Sequence, residues 1–338
     1  HFIFMKTEQL ELECEHSHRG SFLKSALLWT GAAVGTLAAL NAFIAARTPP
    51  LQNALPGTFH RFPGRAGDVA YVVAGSGSPV LLLHGVGAGN SMLEWEKNFE
   101  ALREHHTVYA LDLLGFGRSD RPEYKYSCGD YADLIVSFLR NVVDEPCALV
   151  ASSDSCNFAI EAANRAPELV SKLVLVCPPT LPDEGEGRQA ERHLLWKLFS
   201  LPVLGQTIHN FFTSRAGIRR FSESEMFYDK TLVTEEFVTR HHVDAHQKGA
   251  RWGVASFVSG WMRRDAHRTW ENLSQPALLI WGRNARISGI ETAPEWLALK
   301  TNAQLEVIDR AMLMPHFERP AEWNTVVLNW LKPNGSDE

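Results

Sequence analysis

Residues Pro146 to Val170, PCALVASSDSCNFAIEAANRAPELV, constrain the fold of this chain more than any other stretch. An apolar run, Ala148 to Val150, ends in a knot of small residues from Ala151 to Cys156. Phe158, Ile160, Ala162 and Ala163 then carry an apolar pattern to Pro167. Strand, sharp turn and helix is the economical reading. A turn that tight brings the strand end and the helix start almost into contact, so the positions two residues either side of its apex must be small. That is the steric logic of a G-x-S-x-G nucleophile elbow. Here Ala151 and Ser155 hold the flanking positions and Ser153 is the apex.

Four further landmarks surround this stretch in a fixed order. His84-Gly85 follows the apolar run Val80 to Leu83 and precedes Gly87 and Trp95. Asp112 to Asp120 reads DLLGFGRSD, a D-x-x-G-x-G-x-S turn in which Asp112 and Arg118 look structural. Pro276 to Gly282 reads PALLIWG, and Pro315 to Pro320 reads PHFERP. Together these residues resemble the α/β-hydrolase superfamily, in its capped lipase, esterase and haloalkane-dehalogenase-like branch, over roughly residues 59 to 333. The resemblance implies a mostly parallel sheet flanked by helices, with a helical cap inserted into the α/β core.

The chain order fits that architecture. Residues 59–180 and 271–333 alternate between strand-like and helix-like patterns and form the expected core. Among them, Pro79 to Val86 reads as a buried parallel strand and Asn90 to His105 as one helix. Residues 181–270 lose the alternation and are rich in aromatics, among them Trp196, Phe211, Phe212 and Trp252, as a cap would be.

At the N-terminus, residues 1–24 read as a polar tail, with Met5 a candidate start. Residues 25–46 carry no charge and lie between Lys24 and Arg47. As a helix this segment spans about 30 Å, enough for the hydrocarbon core of a bilayer. Three readings are open: a single-pass membrane anchor, which the length favours, a cleaved signal peptide, and a helix packed on the domain. Basic residues on both sides leave the orientation undecided. Gly31 and Gly35 have the G-x-x-x-G spacing that packs two such helices, a candidate homodimer contact. Residues 47–58 contain three prolines and read as a linker.

The net charge of -6 argues against a nucleic-acid footprint. Five cysteines without C-x-x-C spacing read as buried thiols. In the cap, His242 and His246 stand at i, i+4, a spacing that can hold a metal. No H-E-x-x-H and no third ligand accompany them or His241, so packing is the plainer reading. The sequence implies no cofactor and no metal.

A serine hydrolase needs a nucleophile, a base, a carboxylate that orients the base, and oxyanion donors. The resemblance places Ser153 at the nucleophile and the backbone N–H groups of Val86 and Asp154 at the oxyanion hole. It places His84, Gly85, Ala285 and Leu313 around the pocket. The family's acid position is Ala285, however, and its base position is Leu313. Neither side chain can ionise or hydrogen-bond. His316 is the candidate substitute base, although the family carries a structural His there; Asp154, Asp183 and Asp309 are candidate acids. Asp154 as nucleophile requires a one-residue shift of a gapless match. The expected function is therefore a membrane-anchored, non-hydrolytic or unconventional member that binds a lipophilic small molecule. The alternative is an ester or thioester hydrolase using Ser153 with His316 or a cap histidine. An interaction scaffold rests on the glycine spacing alone.

Overall fold

A computed structural model describes residues 29–51, 54–181 and 188–332. The expected polar tail, residues 25–28 of the apolar segment, Asp183 and the last residues lie outside the described residues. The chain enters through helix α1, Trp29–Arg47, which leaves most of its surface open. Gly31 and Gly35 sit on its open side, with nothing within 4 Å of where a side chain would start.

Eight strands follow: β1 Thr58–Gly64, β2 Gly67–Ala74, β3 Pro79–Leu83, β4 Thr107–Leu111, β5 Cys147–Ser152, β6 Val170–Val176, β7 Ala277–Gly282 and β8 Ala303–Ile308. They form one sheet in the order β1-β2-β4-β3-β5-β6-β7-β8. β1 and β2 form an antiparallel hairpin and β2 runs antiparallel to β4, while every pair from β4 to β8 is parallel. Strands β3, β5 and β7 are buried along their whole length. Helices cover both faces of a parallel sheet, so its central strands are continuous apolar runs rather than alternating ones.

The helices between strands are α2 Phe99–Arg103, α3 Cys128–Phe138 and α4 Ser155–Arg165. α3 starts at a capping box: Ser127 Oγ accepts the Asp130 N–H and the Asp130 carboxylate accepts the Ser127 N–H. Between β6 and β7 come α5 Gln189–Ser200, α6 Leu204–Phe212, α7 Arg215–Phe221, α8 Glu235–Ala245, α9 Arg251–Val258 and α10 His267–Asn272. α11 Ala293–Ala298, α12 Pro315–Glu318 and α13 Pro320–Leu331 complete the chain. The inserted helices are fastened to the core by a bidentate Arg240–Glu96 pair at 2.6 and 3.0 Å and by an apolar cluster of Phe227, Phe237, Met314 and Phe317.

One expected helix is divided. Residues 90–105 form a short 3-10 turn, Met92–Trp95, and then α2. The Asp112 carboxylate captures the Met92 N–H at 2.6 Å, and Glu94 turns inward to the loop after β3. These bonds replace the i→i−4 ladder a continuous helix would need.

The strand order reverses between β3 and β5. The connection from β3 leads to β4 on one side, whereas β5 leads on to β6, β7 and β8 on the other. Loops diverge at such a switch point, and the crevice at the strands' carboxyl ends is where open α/β sheets bind ligands.

Candidate active site

Ser153 stands at that crevice. It joins β5 to α4 with φ of +53°, a left-handed backbone that a side chain adopts at a cost. Its N–H bonds Val176 O at 2.9 Å and its carbonyl accepts the Cys156 N–H at 3.0 Å, which hold the turn closed. Ser155 Oγ reaches across to donate to His84 O at 2.6 Å. This contact ties the start of α4 to the loop after β3, and larger residues at 151 or 155 would push the two apart. Gly85 lies in close packing in that loop, where a Cβ would come into contact with Ser152 Oγ and Ser153 Cβ at 3.4 Å.

Beneath the loop lies an acid–imidazole pair. Glu94 Oε2 accepts the Gly85 N–H at 2.9 Å, and its Oε1 lies 3.2 Å from His316 Nε2. Both side chains are buried. Trp95 lies against the imidazole with centroids 4.5 Å apart. Burial alone would raise the Glu94 carboxyl; His316 chiefly, with His84 and Ser152, reverses this and holds it below its ordinary value.

Ser153 lines a cavity of about 500 Å³ closed by the inserted helices. Gly85, Val86, Asp154 and Leu313 share the wall. His84, Ala285 and His316 do not belong to it. The His84 ring is fixed under the loop, with Nδ1 2.8 Å from Gly85 O and Nε2 accepting the Leu113 N–H at 3.0 Å. Ala285 is buried behind Ile287 and Ser288, which take the wall. His316, the expected substitute base, has no solvent exposure and lies against Glu94 and Trp95. The short helix α12 turns its ring into the core, so the structure brings Glu94 to the cavity and leaves His316 behind it. Asp309 pairs with Arg283 at an exposed site.

The hydroxyl of Ser153 donates to Asp154 Oδ2 at 3.4 Å. Burial pushes the Asp154 carboxyl up, against the opposing charge of Arg263. Of the two expected oxyanion donors, the Val86 N–H has no acceptor among the described residues. The other donor, the Asp154 N–H, belongs to the residue whose carboxylate the Ser153 hydroxyl meets, an unfavourable neighbour for a developing oxyanion.

Three wall residues carry chemistry of their own: one of the cap histidines, and two arginines the sequence does not advertise. His241 reaches the cavity from α8. Its Nδ1 lies 3.0 Å from Phe237 O, a pure acceptor, so Nδ1 holds the proton and Nε2 is left as an acceptor. Burial pushes it down to about 4. Arg263 and Arg264 bring positive charge to the same wall, Arg264 also pairing with Glu161 at 3.4 Å. His242 and His246 turn to Thr213 instead, and no group of three His, Cys, Asp or Glu side chains suited to a metal occurs among the described residues. The signal for Glu94 is present in the sequence: it is a lone acid among Met92, Leu93 and Trp95, all buried. Cys128, Cys147, Cys156 and Cys177 are free and buried, and burial pushes Cys128 up to about 12, which leaves it inert.

A family model described as "Alpha/beta hydrolase family" matches residues 80–326, well over half of the chain. The chain belongs to the α/β-hydrolase family. Among relatives of this family member, an uncharacterized protein of Mycobacterium tuberculosis is 33% identical over 134 residues, which cover 40% of this chain and 37% of that protein. The chain thus aligns to well under half the length of that relative. Mouse 1-acylglycerol-3-phosphate O-acyltransferase ABHD5 is 27% identical over 280 residues, covering 75% of this chain and 76% of its own length. Among solved structures, the meta-cleavage product hydrolase of Pseudomonas fluorescens shares the fold with a TM-score of 0.65 at 23% identity, covering 80% of this chain and 96% of that one.

Proposed function

We propose that this α/β-hydrolase family protein is held at a membrane by α1 and binds an amphiphilic, lipophilic small molecule in its capped cavity without a serine triad. The observation that carries this reading is the partner of Ser153. Its hydroxyl bonds the Asp154 carboxylate, while the base and acid positions hold Leu313 and Ala285. Phe212, Ile218, Phe221, Met226, Val254 and Phe257 make the wall apolar, and Arg263 with Asp154 marks a polar end. An apolar cavity with a few convergent polar groups suits an amphiphile, and an arginine suits an anionic head. The name of the mouse relative, which refers to an acylglycerol phosphate, agrees with that class. For the anchor, the support is a 19-residue helix of mean hydropathy 1.4 with none of that apolar stretch buried.

The test is labelling by a fluorophosphonate probe, with Ser153→Ala as control. Without base and acid, reaction at Ser153 is expected to run on the order of 10³-fold or more below a serine with an intact triad. Fast labelling abolished by Ser153→Ala would instead make Ser153 an activated nucleophile. His241 is the base such a result favours, because it faces the same cavity with a bare Nε2. Labelling lost in His241→Ala would establish that second reading. At a pKa near 4, His241 is a poor match to a base working at neutral pH, which favours the first.

Cavity filling gives an independent check. Val254→Trp puts an indole into the space the ligand tail would occupy. A fluorescent fatty-acid probe is expected to bind at least about tenfold more weakly, a loss of about 1.4 kcal/mol. Unchanged affinity would place the ligand elsewhere.

A further inference from the structure

Helix α6 carries an apolar stripe that the described residues leave largely exposed. Leu204, Ile208, Phe211 and Phe212 fall at i, i+4, i+7 and i+8, one face of a helix. Phe211 is 73% and Phe212 67% exposed, and on neighbouring α5 Leu194 is 68% exposed. The stripe runs into the mouth of the cavity, whose wall includes the exposed side chains of Phe212, Phe221, Val258 and Ile287.

Its position relative to α1 is fixed. Asn41 of α1 donates to Val203 O at 3.1 Å and to Thr207 Oγ1 at 3.0 Å, and accepts from Asn210 Nδ2 at 2.9 Å. Val203, Thr207 and Asn210 form the row adjacent to the apolar stripe, so α1 and the stripe lie side by side. Asn41 stands six residues before Arg47, which ends the helix. At the helical rise that is about 9 Å of depth. A helix lying in a bilayer surface sits about 5–10 Å deep, at the boundary of headgroups and acyl chains. An anchor in this register therefore sets α6 at that boundary. The charge agrees: residues 189–221 hold Arg192, Lys197, Arg215, Arg219 and Arg220 against one acid, Glu191, in a chain of net charge -6, although Arg219 is paired with Glu235 and Glu223 of the following cap residues. Basic helices with an apolar face suit an anionic lipid surface.

We propose that the helical cap docks into the surface of a lipid bilayer beside α1, so that the cavity opens onto the membrane and its ligand enters from the leaflet. This rests on the reading of α1 as an anchor. The decisive experiment places an environment-sensitive fluorophore at single cysteines in the full chain, in a Cys14→Ser background, reconstituted in phosphatidylcholine–phosphatidylserine vesicles. The label sites are Val34→Cys on α1, Phe211→Cys on the cap, and Glu145→Cys before β5, at the sheet end opposite Ser153. Nitroxide lipids then report depth. A shallow nitroxide is expected to quench position 211 several-fold more than position 145, and a deep one to quench position 34. Quenching at 34 with none at 211 overturns docking and leaves the anchor standing. Quenching at neither site overturns the anchor as well. A blue shift at 211 that grows with protein concentration without lipid makes a second copy the occupant, which also overturns the proposal.

Discussion

Replacing Glu94 by alanine is expected to lower the free energy of unfolding by about 2–4 kcal/mol, because it leaves more than one buried polar group without the acceptor it faces. The size follows from what the carboxylate holds. It accepts the Gly85 N–H at 2.9 Å and lies 3.2 Å from His316, with both side chains buried. Alanine would strand a buried imidazole and a buried N–H together. Glu94→Gln retains an acceptor for Gly85 and should cost clearly less. The pH dependence has a definite sign. The folded carboxyl is held below its ordinary value of 4.5, so the stability it contributes is full above that value and is lost as pH falls through the depressed one. In denaturant titrations the gap between wild type and Glu94→Gln should be constant near neutrality and shrink below about pH 4.5. A loss under about 1 kcal/mol for Glu94→Ala, the range of an exposed pair, would show that the pair is not sealed from water.

Gly117→Ala is the second large effect, expected at about 2–4 kcal/mol from overpacking combined with a lost buried hydrogen bond. Gly117 has φ of +49°, and a Cβ there would stand 2.1 Å from the Asp112 carboxyl carbon. That carboxylate cannot move aside without releasing the N–H groups of Met92 and Arg118, which it accepts at 2.6 and 2.7 Å. The damage would therefore reach the turn that carries Glu94, two residues beyond Met92. Thermal unfolding measures the cost, and cavity binding of the fatty-acid probe should weaken with it. An alanine variant as stable as wild type would contradict the close approach of Gly117 to the Asp112 carboxylate.

The elbow and the sheet were legible because their signals are local. Four small residues around Ser153 allow one turn geometry, and apolar runs bounded by glycines and prolines allow buried strands. The Asp112 turn was legible for the same reason, since its glycines answer to its own carboxylate. The break in residues 90–105 was not, because it depends on Asp112 reaching Met92 from 20 positions away.

The site divides along the same line. Sequence by itself determined that Ser153 is the apex of an elbow and that Ala285 and Leu313 cannot act as acid and base, because ionisation belongs to the side chain wherever it is placed. Only the tertiary structure decided which polar groups meet Ser153. It put Glu94 at the cavity and His316 behind it, brought His241 and Arg263 in from the inserted helices, and set α1 against α6 through Asn41. These pairings join residues far apart in the chain. Burial and distance, which fix their charge states and partners, are properties of the folded molecule alone.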